Sequence, residues 1–465
     1  MRRAHPGRPG SVLDKRRVRR RPRVESAPHV STARLVRPLL AALLVSYCAA
    51  PQAHAVAPPA VDEKWLPAPA SPSPPQPTVQ RETCAVAGAE PEGADAATQF
   101  AGFDLPQIWQ FTRGAGQRVA VIDTGVHRHP RLKDVIAGGD YVATGDGAQD
   151  CDAHGTLVAG IVAATTDPAF TGIAPDVTVI GIRQSSAKFA PAAGRSGEGV
   201  GDVATLARAV RTAADLGATV INISSVACAP VDRAPDDRAL GAALAYAVDV
   251  KNAVVVAAAG NTGGMTQCPP QPAGVTRDTV AVVVSPAWYD DYVLTVGSVD
   301  SHGNPSSFTL PGPWVDVAAT GEGVTSLDPD GDGLANRVND KPISGTSYAT
   351  PVVSGLAALI RARFPEWTAR QVMQRIEATA HHPPAGWDPW VGNGTVDPLA
   401  AVTTDIPTAD AAGPKPLAVS SPAANPDTHN RSRTLTGAAL CLVLLVAALG
   451  TRRRSRPRRD SVADD

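Results

Sequence analysis

Net charge is almost absent from this sequence. Its 465 residues carry 43 Lys and Arg against 44 Asp and Glu, a balance that gives no general affinity for nucleic acid. Aromatic side chains are scarce, at 4%. Alanine, proline and glycine are abundant instead, as in a compact α/β core joined to Pro-rich linkers. There are six cysteines and no Cys-x-x-Cys spacing, so zinc is the less favoured reading of them. Basic clusters stand only near the ends, Arg16 to Arg23 and Arg452 to Arg459, each beside or upstream of an apolar segment. Membrane topology accounts for that placement better than nucleic acid does.

Those apolar segments set the expected layout. Pro38 to Ala50 is a short apolar run, and Ala53-His54-Ala55 fits a small-x-small cleavage site; residues 1–55 therefore read as a secretory signal peptide with an unusually long basic start. Residues 56–100 read as a Pro-rich N-terminal extension carrying Cys84, and residues 101–400 as one α/β domain. Residues 401–433 form a second Pro-rich linker. Thr434 to Thr451 is uncharged and about 18 residues long, enough to span a bilayer. Arg452 to Arg454 end it, which places the tail, 452–465, in the cytoplasm and the domain outside, anchored by a single span to the cell membrane.

Within the domain, the stretch Ile343 to Pro351 (Ile-Ser-Gly-Thr-Ser-Tyr-Ala-Thr-Pro) runs into the apolar helical pattern Val352 to Ile360. A serine on a tight turn at a helix N-terminus is well placed as a nucleophile. Gly345 allows close backbone approach, and the free N–H groups of the first helical turn suit a developing oxyanion. A serine hydroxyl needs a base, and the base needs an orienting carboxylate. Val119 to Ile122 is an apolar β run ending in Asp123-Thr124-Gly125, which puts a carboxylate at the C-terminal edge of a buried parallel strand. His154 opens the small-residue helix Gly155 to Ala164. Ala253 to Ala259 is a further buried strand, and it ends in Gly260-Asn261, where a side-chain amide could donate to an oxyanion.

The order Asp, His, Asn, Ser in these four contexts resembles the subtilisin-like serine proteases (peptidase family S8) over roughly residues 101–400. The resemblance implies a mostly parallel central sheet with helices on both faces. It implies Asp123 as the orienting carboxylate, His154 as base and acid, Ser347 as nucleophile and Asn261 as an oxyanion donor, with no cofactor. It also implies that Ser224, Ser225 and Val226, after the strand Val220 to Ile223, line the groove for an extended protein or peptide substrate. Residues 184–200 read as an exposed loop. Residues 80–100, where a folded inhibitory pro-domain would be expected, look too short and too poor in apolar pattern to be one.

Ser326 to Gly333 superficially resembles a calcium loop. Asn339 stands where an EF-hand would need its twelfth, acidic ligand, and a surface hairpin is the favoured reading over calcium. Cys84, Cys151, Cys228 and Cys268 fall in the exported part and suggest two disulfides. Of three connectivities, Cys84–Cys151 with Cys228–Cys268 is favoured; the first would pin the extension three residues before His154.

The whole layout, together with Trp109-Gln110-Phe111, Cys151-Asp152-Ala153-His154 and Arg183 to Phe189, resembles the mycosins, membrane-anchored subtilisin-like proteases associated with type VII secretion. The family often has Gly where Ala153 stands. The resemblance implies partnership with a type VII secretion membrane complex. It also implies an alternative reading in which the chain is mainly a structural component of that complex and catalysis is secondary.

Overall fold

The computed structural model describes residues 56–89, 98–100, 102–197, 199–263, 268–272 and 274–403. The expected signal peptide (1–55), transmembrane helix (434–451) and basic tail (452–465) lie outside the described residues, as does the expected linker (401–433) beyond residue 403. Among the described residues no helix is long and apolar enough to cross a membrane.

Seven strands form one sheet: β1 (Arg118–Asp123), β2 (Val135–Asp140), β3 (Thr178–Arg183), β4 (Val220–Ile223), β5 (Val254–Ala258), β6 (Leu294–Val299) and β7 (Val317–Thr320). Their spatial order is β7-β6-β5-β4-β1-β3-β2, and every neighbouring pair is parallel. Every residue of β4, β5 and β6 is buried. A strand covered on both faces has no polar side to show, which is why these runs read as continuous Val, Ile and Ala rather than as an alternation. The chain adds β2 and β3 on one side of β1 and β4 to β7 on the other. The direction of winding therefore reverses between β1 and β4, the place where open α/β sheets hold their sites.

Two pairs of helices cover the sheet. In one, α1 (His154–Ala163) packs on α4 (Thr346–Arg363), which lies along β4 to β7; in the other, α2 (Val203–Asp215) packs on α3 (Arg238–Ala245). A further helix, α5 (Ala369–Thr379), packs against α4. Residues Gly155 to Ala163 of α1 and Thr346 to Ile360 of α4 are all buried. Helices enclosed all round need small and apolar residues on every side rather than one stripe. By contrast α2 buries Leu206, Ala209, Val210 and Ala213 on one side and leaves Arg208, Arg211 and Thr212 half-buried on the other. It starts with a capping box between Asp202 and Thr205.

The extension is more closely bound to the body than a Pro-rich spacer would be. Val56 donates its amide to Arg277 O at 2.8 Å, Val61 and Leu66 pack against the core, and Thr78–Gln80 pairs antiparallel with Phe189–Pro191. That pairing also changes the reading of 184–200. Instead of an exposed loop, its first half is a strand-forming segment with Ser186 and Ala190 buried. Cys84 is bonded to Cys151 and Cys228 to Cys268. Ser326–Leu327 and Leu334–Ala335 form an antiparallel hairpin, whose turn is closed by Asp328 N donating to Gly333 O at 3.1 Å. Among the described residues no cluster of three or more His, Cys, Asp and Glu is placed to hold a metal ion.

Candidate active site

Asp123, His154, Asn261 and Ser347 converge at the C-terminal edge of the sheet. Asp123 ends β1 and is fully buried. Its Oδ1 accepts from the Thr124 amide at 2.7 Å and lies 2.7 Å from His154 Nδ1. His154 opens α1, and its Nε2 is 2.9 Å from Ser347 Oγ. With Nδ1–H donated to the carboxylate, Nε2 is left as the acceptor for the serine hydroxyl. Two glycines allow the turn after β1 to lie so close to α1 and to the segment before it. Gly125 has φ +114°, and a Cβ there would meet Gln149 O at 2.1 Å. A Cβ on Gly155 would stand 2.0 Å from Gly125 O. Burial pushes the His154 imidazole toward its neutral form. The charge of Asp123 and the hydrogen bond to it, with Asp150 and Asp152 nearby, outweigh that and leave its pKa raised above the ordinary value of 6.5.

Ser347 is the second residue of α4, so its amide lies in the turn that has no intrahelical acceptor. Asn261 follows β5. Its Oδ1 accepts from the Thr346 amide at 2.9 Å and from Thr346 Oγ1 at 3.1 Å, and that hydroxyl in turn accepts from the Gly260 amide at 3.2 Å. With the carbonyl oxygen so engaged, Nδ2 is the atom turned to the site. A Cβ added to Gly345 would lie 3.1 Å from Ser347 Oγ and 3.6 Å from Asn261 Nδ2, so the bare glycine leaves a space bordered by both groups.

A model of the subtilase family matches residues 114–397 of the sequence. The chain belongs to the subtilase family. Mycosin-4 of Mycobacterium tuberculosis (strain ATCC 25618 / H37Rv) is 65% identical over 457 residues, covering 94% of this chain and 100% of that protein, which places this subtilase among the mycosins. A solved structure described as the serine protease MycP1, an essential component of the type VII (ESX-1) secretion system, is similar at 44% identity. Its TM-score is 0.69, with 75% of this chain and 99% of that chain covered. A chain in the structure of an intact ESX-5 inner membrane complex is similar at 41% identity and TM-score 0.71, over 86% of this chain and 100% of that one. The protein is a serine endopeptidase of the subtilisin type.

Other expected site residues take less direct positions. Ser224, Ser225 and Val226 lie between β4 and the strand Ala227–Pro230. The Ser224 side chain turns inward and donates to the carbonyl of Ser347 at 3.0 Å, while Ser225 Oγ lies 3.4 Å from Ser185 Oγ. The two disulfides flank the site. Cys151 is three residues before His154, and Cys268 donates its amide to Asn261 O at 2.8 Å. Three residues of this subtilase site escape a motif reading. Tyr348 places its ring 4.9 Å from the His154 ring, centroid to centroid. Thr346 orients Asn261. Asp150, four residues before His154, bonds both to the residue after Asp123 and to the second residue after His154. Aspartate ahead of His-Gly-Thr, matched by the threonine of Asp-Thr-Gly, was the available signal for the last.

Proposed function

We propose that this mycosin cleaves peptide bonds through Asp123, His154 and Ser347, on the extracytoplasmic face of a membrane to which its C-terminal segment anchors it. The observation that carries the reading is the unbroken chain from Asp123 Oδ1 through both nitrogens of His154 to Ser347 Oγ, at 2.7 and 2.9 Å. His154 Nε2 takes the Ser347 proton as Oγ attacks the substrate carbonyl. Asp123 holds the imidazole in the required tautomer and balances the imidazolium. The carbonyl oxygen, now negative, moves into the space beside Gly345, where Asn261 Nδ2 and the Ser347 amide donate to it. His154 then protonates the leaving amine, and water, activated by the same nitrogen, releases the acyl group. No metal or cofactor enters this sequence of steps.

Comparison of the full chain with Ser347→Ala on a pool of peptide substrates tests the assignment. On the scale measured for subtilisin itself, the nucleophile accounts for about 10⁶-fold in turnover and an oxyanion donor for roughly 10²–10³-fold. Ser347→Ala should abolish hydrolysis and Asn261→Ala should weaken it. Hydrolysis unchanged in Ser347→Ala would sink the reading.

A second role rests on a different observation. The similar chain in the ESX-5 inner membrane complex covers 86% of this sequence, well beyond the catalytic core. This supports a place for the protein in a type VII secretion complex, and we propose that this place is structural and independent of turnover. On that reading Ser347→Ala restores secretion to a deletion strain, whereas a chain lacking residues 434–451 does not.

A further inference from the structure

The helix that carries His154 begins in an unusual way. Its N-cap position is held by Ala153, with φ 64°, and no side chain of that residue caps the helix. The first-turn amide that an N-cap side chain would take, that of Thr156, donates instead to Asp150 Oδ2 at 2.8 Å. The same oxygen accepts from Thr156 Oγ1 at 2.7 Å, and the other oxygen, Oδ1, accepts from Thr124 Oγ1 at 2.7 Å. Each threonine hydroxyl also serves the opposite element. Thr124 Oγ1 accepts from the Gly155 amide at 3.0 Å, and Thr156 Oγ1 accepts from the His127 amide at 2.9 Å. One carboxylate thus ties the turn after Asp123 to the start of the His154 helix, while sitting at the positive end of that helix.

We propose that Asp150 is a positioning residue of the protease, a clamp that holds Asp123 and His154 in register through Thr124 and Thr156. The inference rests on the proteolytic reading above. The Asp123–His154 contact is one hydrogen bond between two separate elements, and its 2.7 Å length depends on where β1 ends and where α1 begins. Pairing with β3 also fixes the end of β1, but the bonds that meet at Asp150 are the ones that join that end to the start of α1. Side chains that hold reacting groups within a fraction of an ångström are worth large factors in rate, and a displacement of about 1 Å costs on the order of 10²-fold.

The test uses the full chain as wild type, Asp150→Ala and Asp150→Asn, each reacted with a fluorophosphonate probe between pH 5 and 9. The final extent of labelling measures the fraction of competent molecules, and the rate constant measures the quality of the site in that fraction. The expected result is a rate constant at least about 10-fold lower in Asp150→Ala, with smaller loss in Asp150→Asn, whose amide can still bond both threonines. The acid limb should move to lower pH in Asp150→Asn, because one of the negative groups around His154 (Asp123, Asp150 and Asp152, beside Tyr348) is gone. A lower extent with an unchanged rate constant and profile would mean a merely structural residue and would overturn the proposal; if Asp150→Ala does not fold, the same criteria applied to Asp150→Asn decide. The low-field proton resonance of the His154–Asp123 hydrogen bond gives a second readout. If the wild type takes no label, the proteolytic reading fails; the clamp then stands or falls on whether that resonance is lost or kept in the variants.

Discussion

Ser224 donates its hydroxyl to the backbone carbonyl of Ser347, 3.0 Å away, and the reason lies one turn along the helix at Pro351. In an α-helix the carbonyl of residue 347 should accept from the amide of residue 351. Proline has no amide hydrogen, so the carbonyl of Ser347 is left without its intrahelical donor in a buried place. Ser224 supplies the donor, and it is itself held by Asn222 Nδ2 at 2.9 Å, whose Oδ1 accepts from Ser354 Oγ at 2.8 Å.

Ser224→Ala should therefore destabilise the fold by about 1–3 kcal/mol, the usual effect of orphaning a buried polar group. It should also lower kcat more than it raises KM. Thermal denaturation and steady-state kinetics check this; a variant with normal stability and a raised KM alone would mean that Ser224 acts on substrate and not on the nucleophile's turn.

Gly345→Ala should lower stability, because Gly345 holds φ 159° and ψ 155°, a backbone conformation that L side chains rarely adopt, and it should cripple catalysis. The added methyl would stand 3.1 Å from Ser347 Oγ and 3.6 Å from Asn261 Nδ2, in the space assigned to the oxyanion. A loss in kcat/KM on the order of 10²-fold, comparable to removing an oxyanion donor, is expected for the folded protein below its lowered melting temperature. Full activity would move the oxyanion site elsewhere.

The pH dependence follows from His154. In the proposed role of base it must be neutral, and its pKa is raised above 6.5 by Asp123, Asp150 and Asp152 against the effect of burial. The neutral fraction grows as pH rises, so kcat/KM should climb with pH and reach half its plateau above pH 6.5. A profile already flat at pH 6 would contradict the charge arrangement described.

Ala153 holds a left-handed conformation, φ 64° and ψ 0°, and is buried. A β-branched residue is a genuine outlier there. Ala153→Val should lower the melting temperature, with a loss above about 1 kcal/mol. Ala153→Gly should be near neutral, because relief of the backbone offsets the lost methyl and the added freedom of the unfolded chain. Equal stability of the Val variant would argue against the left-handed turn.

Much of this architecture was legible in the sequence because buried parallel strands and enclosed helices leave long apolar runs, and because each site residue stands at the end of such a run. Asp123, His154, Asn261 and Ser347 were readable for that reason. The inward turn of Ser224 was not, since it depends on a missing hydrogen bond at Pro351, 127 positions further along. Asp150 is marked only by its place ahead of His-Gly-Thr, since its bonds join residues 26 positions before it and six after it and no periodicity marks them. The seating of the extension was hidden for a different reason. Proline-rich sequence signals extended backbone, but the contacts that fix it, such as Val56 with Arg277, are made with distant parts of the chain.

The most direct measurement is to react the full chain with a fluorophosphonate and locate the adduct by mass spectrometry. The account predicts a single modified residue, Ser347, with modification lost in His154→Ala, where the base is gone. An adduct on another serine, or none in a folded chain, would contradict the assignment of Asp123, His154 and Ser347 as a working catalytic group.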